Sequence, residues 1–259
     1  MMTTGGKRSF DPYIIVSERG KMTKQKKVVF RHELKFLISE RERDILLPRL
    51  KEFTKSDPHT KNGSYFIRSL YFDDIGRSAY EDKEAGVASR KKYRIRIYNL
   101  SDDFISLECK QKEGSYIRKI SARLTKDELQ DILHGNYHFL FSRKEEVCSQ
   151  FAVELLSNGL RPEVIVDYDR RPFIMDAGTV RVTFDEHVRS GFMSWDLFDG
   201  TIPVYETLEP GKLIMEVKFT EFIPQIMRDI LPLNAAEQVA ASKYVMCCDA
   251  MRELRGINI

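Results

Sequence analysis

"KKYRIRIYN", residues 91–99, sets two arginines two positions apart among apolar side chains. In a strand, successive side chains point to opposite faces. Arg94 and Arg96 then share one face, and Tyr93, Ile95 and Ile97 share the other. A single strand of this kind is ordinary in an antiparallel sheet with one wet face. Its meaning depends on whether other strands repeat it.

They do. In 28–38, Arg31, Glu33 and Lys35 share a face, and Phe30, Leu34 and Phe36 share the other with His32. In 104–112, Glu108, Lys110 and Lys112 oppose Leu107 and Cys109. In 179–187, Arg181, Thr183 and Asp185 oppose Val180, Val182 and Phe184. In 212–219, Glu216 and Lys218 oppose Met215, Val217 and Phe219. Arg118 or Lys119, and Arg170 or Arg171, add cations on two further strands. The polar face is ionic rather than rich in Ser and Thr, and its bases outnumber its acids.

Helical segments lie between and after these strands. Ser39 followed by Glu42 reads as a capping box ahead of "ERERDILLPRLKEF". "TKDELQDILHG" (125–135), "RKEEVCSQFAVELLSNG" (143–159), the short "IPQIMRDIL" and "NAAEQVAASKYVMCCDAMREL" (234–254) read as helices. "LSDD" reads as a hairpin loop between 90–99 and 104–114, and 189–210 reads as irregular, with Trp195 in it. Helices need an apolar sheet face to cover. If they pack on that side, the ionic faces look toward one another when the sheet closes. The expectation is an α+β fold: an eight-stranded antiparallel closed β-barrel with a cationic lumen and helices packed outside.

Like charges roughly 6–8 Å apart in a partly dry cavity repel strongly. An elongated polyanion would neutralise them together. Arginine suits phosphate through forked hydrogen bonds and lysine as a point charge. On this reading Lys112, Arg118 or Lys119, Arg181 and Lys218 are phosphate-binding candidates. The interspersed Glu33, Glu108 and Glu216 would hold Mg2+ or Mn2+, bridging to phosphate oxygens.

Composition excludes several classes. The 259 residues carry 42 basic and 39 acidic side chains, net +3, too balanced for a nucleic-acid binder by bulk charge. Tyr93, Tyr98 and Phe36 fall opposite the basic residues or at a strand end, so no stacking platform is expected. Cys109, Cys148, Cys247 and Cys248 form no CxxC pair and read as reduced buried thiols. His59, His134, His138 and His187 are scattered and read as surface or loop residues. No run of 18 apolar residues exists, so no membrane insertion by this chain is expected. Residues 1–26 read as a flexible basic leader before one domain over 27–259, with Met22 as an alternative to Met1 as the start.

Eight pieces, in order, carry a family resemblance: "FRHELKF", "SLYFDD" with "AYEDKEAG", "RKKYRIRIYN", "LECKQKEG", "VDYDRRPF", "VRVTFDEHV", "LIMEVKF" and "ASKY". Each alone is weak, but eight in order are specific. Over about residues 28–250 the sequence resembles a vacuolar transporter chaperone (VTC) domain, the polyphosphate polymerase branch of the triphosphate tunnel metalloenzyme superfamily, whose members are CYTH-like. The resemblance implies an eight-stranded tunnel that binds triphosphate and a metal ion. It implies phosphate contacts from Lys35, Arg94, Arg96, Lys110, Arg170 and Lys243, with Lys119 a further match that Arg118 could replace. It implies metal binding by Glu216, with Glu33 and Glu108 as second acids. Where the superfamily opens with ExExK, "ELKF" gives only Glu-x-Lys, which fits the polymerase branch. The expectation is of a chain without the phosphate-sensing helical domain before the match or the membrane span after it that the eukaryotic proteins have, so that transport or regulation would need other subunits.

The expected function is that of a metal-dependent phosphotransferase. It would pass the γ-phosphate of ATP to a growing polyphosphate, with Arg94, Arg96, Lys110, Arg170 and Lys243 at the reacting phosphates. The competing readings are a tunnel triphosphatase and a non-catalytic polyphosphate-binding module. The expected partners are ATP and polyphosphate, with no nucleic acid. The expected location is cytoplasmic, with room for a membrane-protein partner at the cytoplasmic face.

Overall fold

The structure is a computed structural model and describes residues 32–60, 62–114, 116–220, 222–233 and 236–256. The expected leader, both candidate start methionines, Phe30 and Arg31 lie outside the described residues.

The chain runs β1 (His32–Ser39), α1 (Glu40–Phe53), β2 (Lys55–Ser56), β3 (Tyr65–Asp73), α2 (Ser78–Glu84), β4 (Ser89–Tyr98), β5 (Ser101–Glu113) and β6 (Tyr116–Leu124). It continues with α3 (Lys126–Leu133), α4 (Glu146–Ser157), β7 (Arg161–Met175), β8 (Val180–Gly191), β9 (Val204–Glu206), β10 (Lys212–Phe219), α5 (Gln225–Ile230), β11 (Glu237–Gln238) and α6 (Lys243–Leu254). Ser39 and Thr125 close reciprocal capping boxes with Glu42 and Glu128, which fixes where α1 and α3 begin. The β4–β5 turn is Asn99–Leu100, both at positive φ, so β5 starts at Ser101 and not after the expected "LSDD" loop.

All strand pairings are antiparallel, in the order β11-β1-β10-β8-β7-β3-β4-β5-β6, with β2 on β7 and β9 on β8. The expected closed eight-stranded barrel is corrected on two counts. Among the described residues the sheet has eleven strands, of which β2, β9 and β11 are only 2, 3 and 2 residues long. Hydrogen bonds do not close it. β11 occupies the outer edge of β1, where Phe36 faces Gln238 and Leu37 faces Glu237, and so takes the positions that β6 would need.

The sheet nevertheless curls. β1 and β5 are six strand steps apart, about 29 Å if the sheet were flat at ~4.8 Å per step. Yet Lys110 of β5 and Glu33 of β1 form an ion pair at 3.2 Å. Only a sheet rolled toward its ionic side brings those side chains together.

The apolar side is the convex one and is covered in two places. α3, α4 and the 3-10 turn His138–Ser142 cover Leu70, Phe72, Tyr93, Ile95, Ile97, Leu107 and Cys109. α1 and α5 cover Phe36, Ile38, Val182, Phe184, Met215 and Val217. A third cluster corrects the expectation that every helix packs outside. Tyr65, Ile67, Tyr71, Val164, Val166 and Tyr168 alternate with the convex-side residues and meet Tyr244, Cys247, Cys248 and Met251 of α6. α6 therefore lies against the concave side and fills part of it. It starts at Lys243 rather than 234, because the preceding segment runs extended beside β1, with Val239 N–H donating to the Lys35 carbonyl at 2.9 Å. All four cysteines are free and buried. Trp195, after β8, is partly exposed.

Candidate functional site

The strand register places the ionic residues on one lattice. Across β4–β5–β6, Arg94 faces Glu108, which faces Ser121; Lys92 faces Lys110, which faces Lys119; Arg96 faces Ser106. Across β1–β10–β8, Lys35 faces Glu216, which faces Thr183, and Glu33 faces Lys218, which faces Arg181. Arg170 of β7 faces Asp185 of β8. Because cross-strand neighbours share a face, alternation on each strand becomes one continuous patch.

Three carboxylates organise it. Glu108, almost buried, accepts from Arg94 Nη2 at 2.6 Å and Lys119 Nζ at 2.7 Å. Burial alone would raise its pKa, but Arg94, Arg96 and Lys119 hold it far below the ordinary carboxylate range. Asp185, fully buried, takes a forked pair from Arg170 at 2.7 Å and Lys243 at 2.6 Å. Burial is again outweighed, and its pKa is lowered. Glu216 accepts from Lys218 at 2.9 Å and Arg170 at 3.5 Å, with Lys35 at 3.9 Å. Despite burial it is held well below the carboxylate range, through Lys218, a hydrogen bond with Glu33, Arg170 and Lys243.

Tyrosines floor the patch. Tyr168 lies beneath the cations of Arg96, Arg170 and Lys243, 6.0, 5.2 and 5.0 Å from its centroid. Tyr71 accepts from Arg94 at 2.7 Å. Both rings are buried, so they support cations rather than offer stacking surfaces.

The structure sorts the sequence candidates by depth. Arg96 is 6% exposed and bonded to Ser69 and Tyr168, while Lys110 and Lys119 are about half exposed at the rim. Lys35, Arg94, Arg170, Lys218 and Lys243 lie between. Arg181 is held by Asp57 and the Tyr65 hydroxyl. Lys112 lies on the same face, opposite Arg90. Arg118 does not join them: it points to the convex side and forks onto Glu146 of α4, which leaves Lys119 as the inward residue of that pair. Arg171 likewise turns away, toward Glu186.

Sequence reading missed Asp185 as a site residue, and it missed Lys92, Lys83 and Arg90. Asp185 and Lys92 obey the same alternation as Arg181 and Arg94, so the signal was present. Lys83 sits on α2, which strand periodicity does not reach.

A metal site fits only in part. Among the described residues no group of three or more His, Cys, Asp or Glu side chains is arranged to hold an ion. Glu33 and Glu216 do approach one another, and two carboxylates suffice for Mg2+ or Mn2+ when substrate phosphates and water complete the shell. Glu108 is engaged by cations and a hydroxyl, the position of a counter-ion. A cavity of about 340 Å³ between β9 and α6 is lined by Glu206, Asp249 and Glu253, the wrong charge for phosphate.

The family model described as the VTC domain matches residues 30–252 of the chain. No curated protein matches the sequence. Among solved structures, the chain is similar to a candidate adenylate cyclase from Vibrio parahaemolyticus at 13% identity, covering 84% of this chain and 97% of that one, TM-score 0.49. It is similar to a candidate adenylyl cyclase from Hippeastrum, described as having a dominant triphosphatase activity, at 14% identity, covering 85% and 96%, TM-score 0.48. A third, a candidate adenylate cyclase from Bacillus halodurans, aligns at 14% identity over 89% and 91%, TM-score 0.45.

Proposed function

The chain belongs to the VTC domain family, and from that premise we propose that its concave ionic face is a tunnel-like phosphotransferase site. It takes the γ-phosphate of ATP and joins it to the terminal phosphate of a growing polyphosphate. The observation that carries this reading is the lattice itself. Cations from β1, β4, β5, β6, β7, β8, β10 and α6 converge on a side where like charges face one another directly, as Lys92 faces Lys110 and Lys110 faces Lys119. Glu33 and Glu108 offset part of this repulsion at Lys110 and Lys119, and a bound anion would offset the rest, above all at Lys92, whose hydrogen bond goes to a neutral hydroxyl.

In the reaction, an oxygen of the terminal chain phosphate attacks the γ-phosphorus in line. The bond from γ-phosphorus to the β,γ-bridging oxygen breaks, ADP leaves, and a new P–O–P link forms. The acceptor is already anionic, so no strong base is required. Positioning and charge neutralisation then supply the rate. Arg94, seated on Glu108, and Lys110 face the transferring group; Arg170 and Lys243, fixed by Asp185, hold the phosphates beside Glu216; Arg96 supports the floor. Glu216 and Glu33 would hold a divalent ion, which when bound would supply further neutralisation of the phosphate oxygens. Among Glu33, Glu108, Asp185 and Glu216 none is without a cation, which disfavours a carboxylate that orients water for hydrolysis.

Incubation with ATP and Mn2+, followed by gel analysis, tests the proposal. The expected product is polymeric phosphate, lost with Arg94→Ala. Orthophosphate alone would assign a triphosphatase. Tight polyphosphate binding without turnover, unaffected by Glu216→Gln, would assign a binding module.

A further inference from the structure

The ionic face has two parts that differ in how their charges are matched. Around Glu108, Asp185 and Glu216, the cations find carboxylates. At the start of β4 and the end of β5 the matching stops. Arg90 lies directly across from Lys112, one step beyond the Lys92–Lys110 pair. Lys83 from α2 and Lys35 from β1 add their charge to the same place: Lys83, Arg90 and Lys35 are the cations that act on Lys92, and Arg90, Lys35 and Lys112 those that act on Lys83. Glu84 is the acid that acts on Lys83 here.

The polar contacts of these side chains are neutral. Lys92 Nζ donates to Ser242 Oγ at 3.0 Å and lies 4.8 Å from the Tyr244 centroid. Arg90 donates to the Val87 carbonyl at 2.6 Å. Among the described residues the side chains of Lys83 and Lys112 have neither a hydrogen bond nor an ion pair. Burial, reinforced by those neighbours, pushes the Lys92 ammonium down to about 7. A group of four bases with only Glu84 acting against its charge, partly withdrawn from water, costs free energy that an anion would relieve.

We propose that Lys83, Arg90, Lys92 and Lys112 form a second anion station, which holds a phosphate of the chain beyond the triphosphate taken up between Arg94 and Glu216. This rests on the function proposed above and adds chain length to it. Arg90 and Arg94 are four residues apart, roughly 13 Å along a strand, longer than a triphosphate end to end. A ligand that reaches both places is an extended polyanion. The station therefore discriminates a growing chain from ATP or free triphosphate, and it lets the acceptor be held while the nucleotide exchanges.

The test compares affinities for tripolyphosphate and for long-chain polyphosphate in wild type and in the double variant Lys83→Gln with Arg90→Gln. The expected result is about a tenfold or greater loss for the long chain (~1.4 kcal/mol) with triphosphate affinity within about twofold. A matched variant, Lys126→Gln with Lys144→Gln on the convex side, removes the same charge and must leave long-chain affinity unchanged. Equal losses for both ligands, no loss for the long chain, or an equal loss in the convex-side variant would each overturn the station. Wild type that binds neither ligand would instead remove the underlying function, and the station with it.

Discussion

Arg94 and Glu108 show how a single residue serves both stability and chemistry. Removing Arg94 leaves Glu108 nearly buried with one cation fewer, a loss of about 1–3 kcal/mol. Arg94→Ala should lower stability by that amount in a denaturant titration and lower turnover about 10²–10³-fold, the range for a lost electrostatic donor. Adding Glu108→Gln should restore most of the stability and none of the turnover, since the acid then needs no partner while phosphate still lacks its clamp. Lys92 gives a pH signature. Facing it are Lys110 across the strand, Arg90 and Lys112 beside it, Lys83 from α2, Lys35 from β1, Ser242 just ahead of α6, and Tyr244 and Cys248 on α6. Its pKa is lowered from 10.5 to about 7, so between those values the unfolded chain binds more protons and stability should rise with pH. A bound polyanion reverses the cause. Calorimetry at pH 8 in buffers of different ionisation enthalpy should therefore show a proton taken up on binding, and no uptake would contradict this. Much at this scale was legible: alternation alone put Arg94, Lys110, Glu216 and Lys218 on one face. Arg118 and Lys119 were not separable until the β5–β6 register paired Lys119 with Lys110.

Among the elements, the strands were read best because period-two alternation is local, and the helices least where tertiary contacts decide. Residues 236–242 have a helix-compatible composition, yet the open edge of β1 recruits Glu237 and Gln238 from among them as β11, since unpaired strand groups are worth satisfying. α2 is another such case. Asp73, at the end of β3, accepts from the Ala79 and Tyr80 amides at 2.9 and 3.1 Å and from the Tyr244 hydroxyl, tying α2 to α6. Asp73→Ala should cost about 1–3 kcal/mol, raise hydrogen exchange in α2, and weaken long-chain binding through Lys83. By contrast, Thr125→Ala should cost about 1 kcal/mol by uncapping α3 and leave ligand affinity unchanged, because α3 covers the convex side.

At the scale of the molecule, the ionic interior is a wager on charge matching. Glu108, Asp185 and Glu216 all have lowered pKa values, from ordinary values of 4.5, 3.8 and 4.5. The stability they contribute is complete above those values and is lost as pH falls through the lowered ones, so thermal midpoints should fall steeply in acid. The rolled α+β sheet with an ionic concave side followed from the sequence. The eleven strands and open seam of the described residues did not, because the pairing of β11 with β1 joins segments far apart in sequence, which local alternation does not reveal. The central claim is that a phosphate chain lies inside the roll. A structure determined with tripolyphosphate and Mn2+ tests it most directly. Phosphate oxygens should lie within hydrogen-bond reach of Arg94, Lys110, Arg170 and Lys218, with the metal beside Glu216. Phosphate bound only on the convex side, near Arg118 and α4, would contradict it.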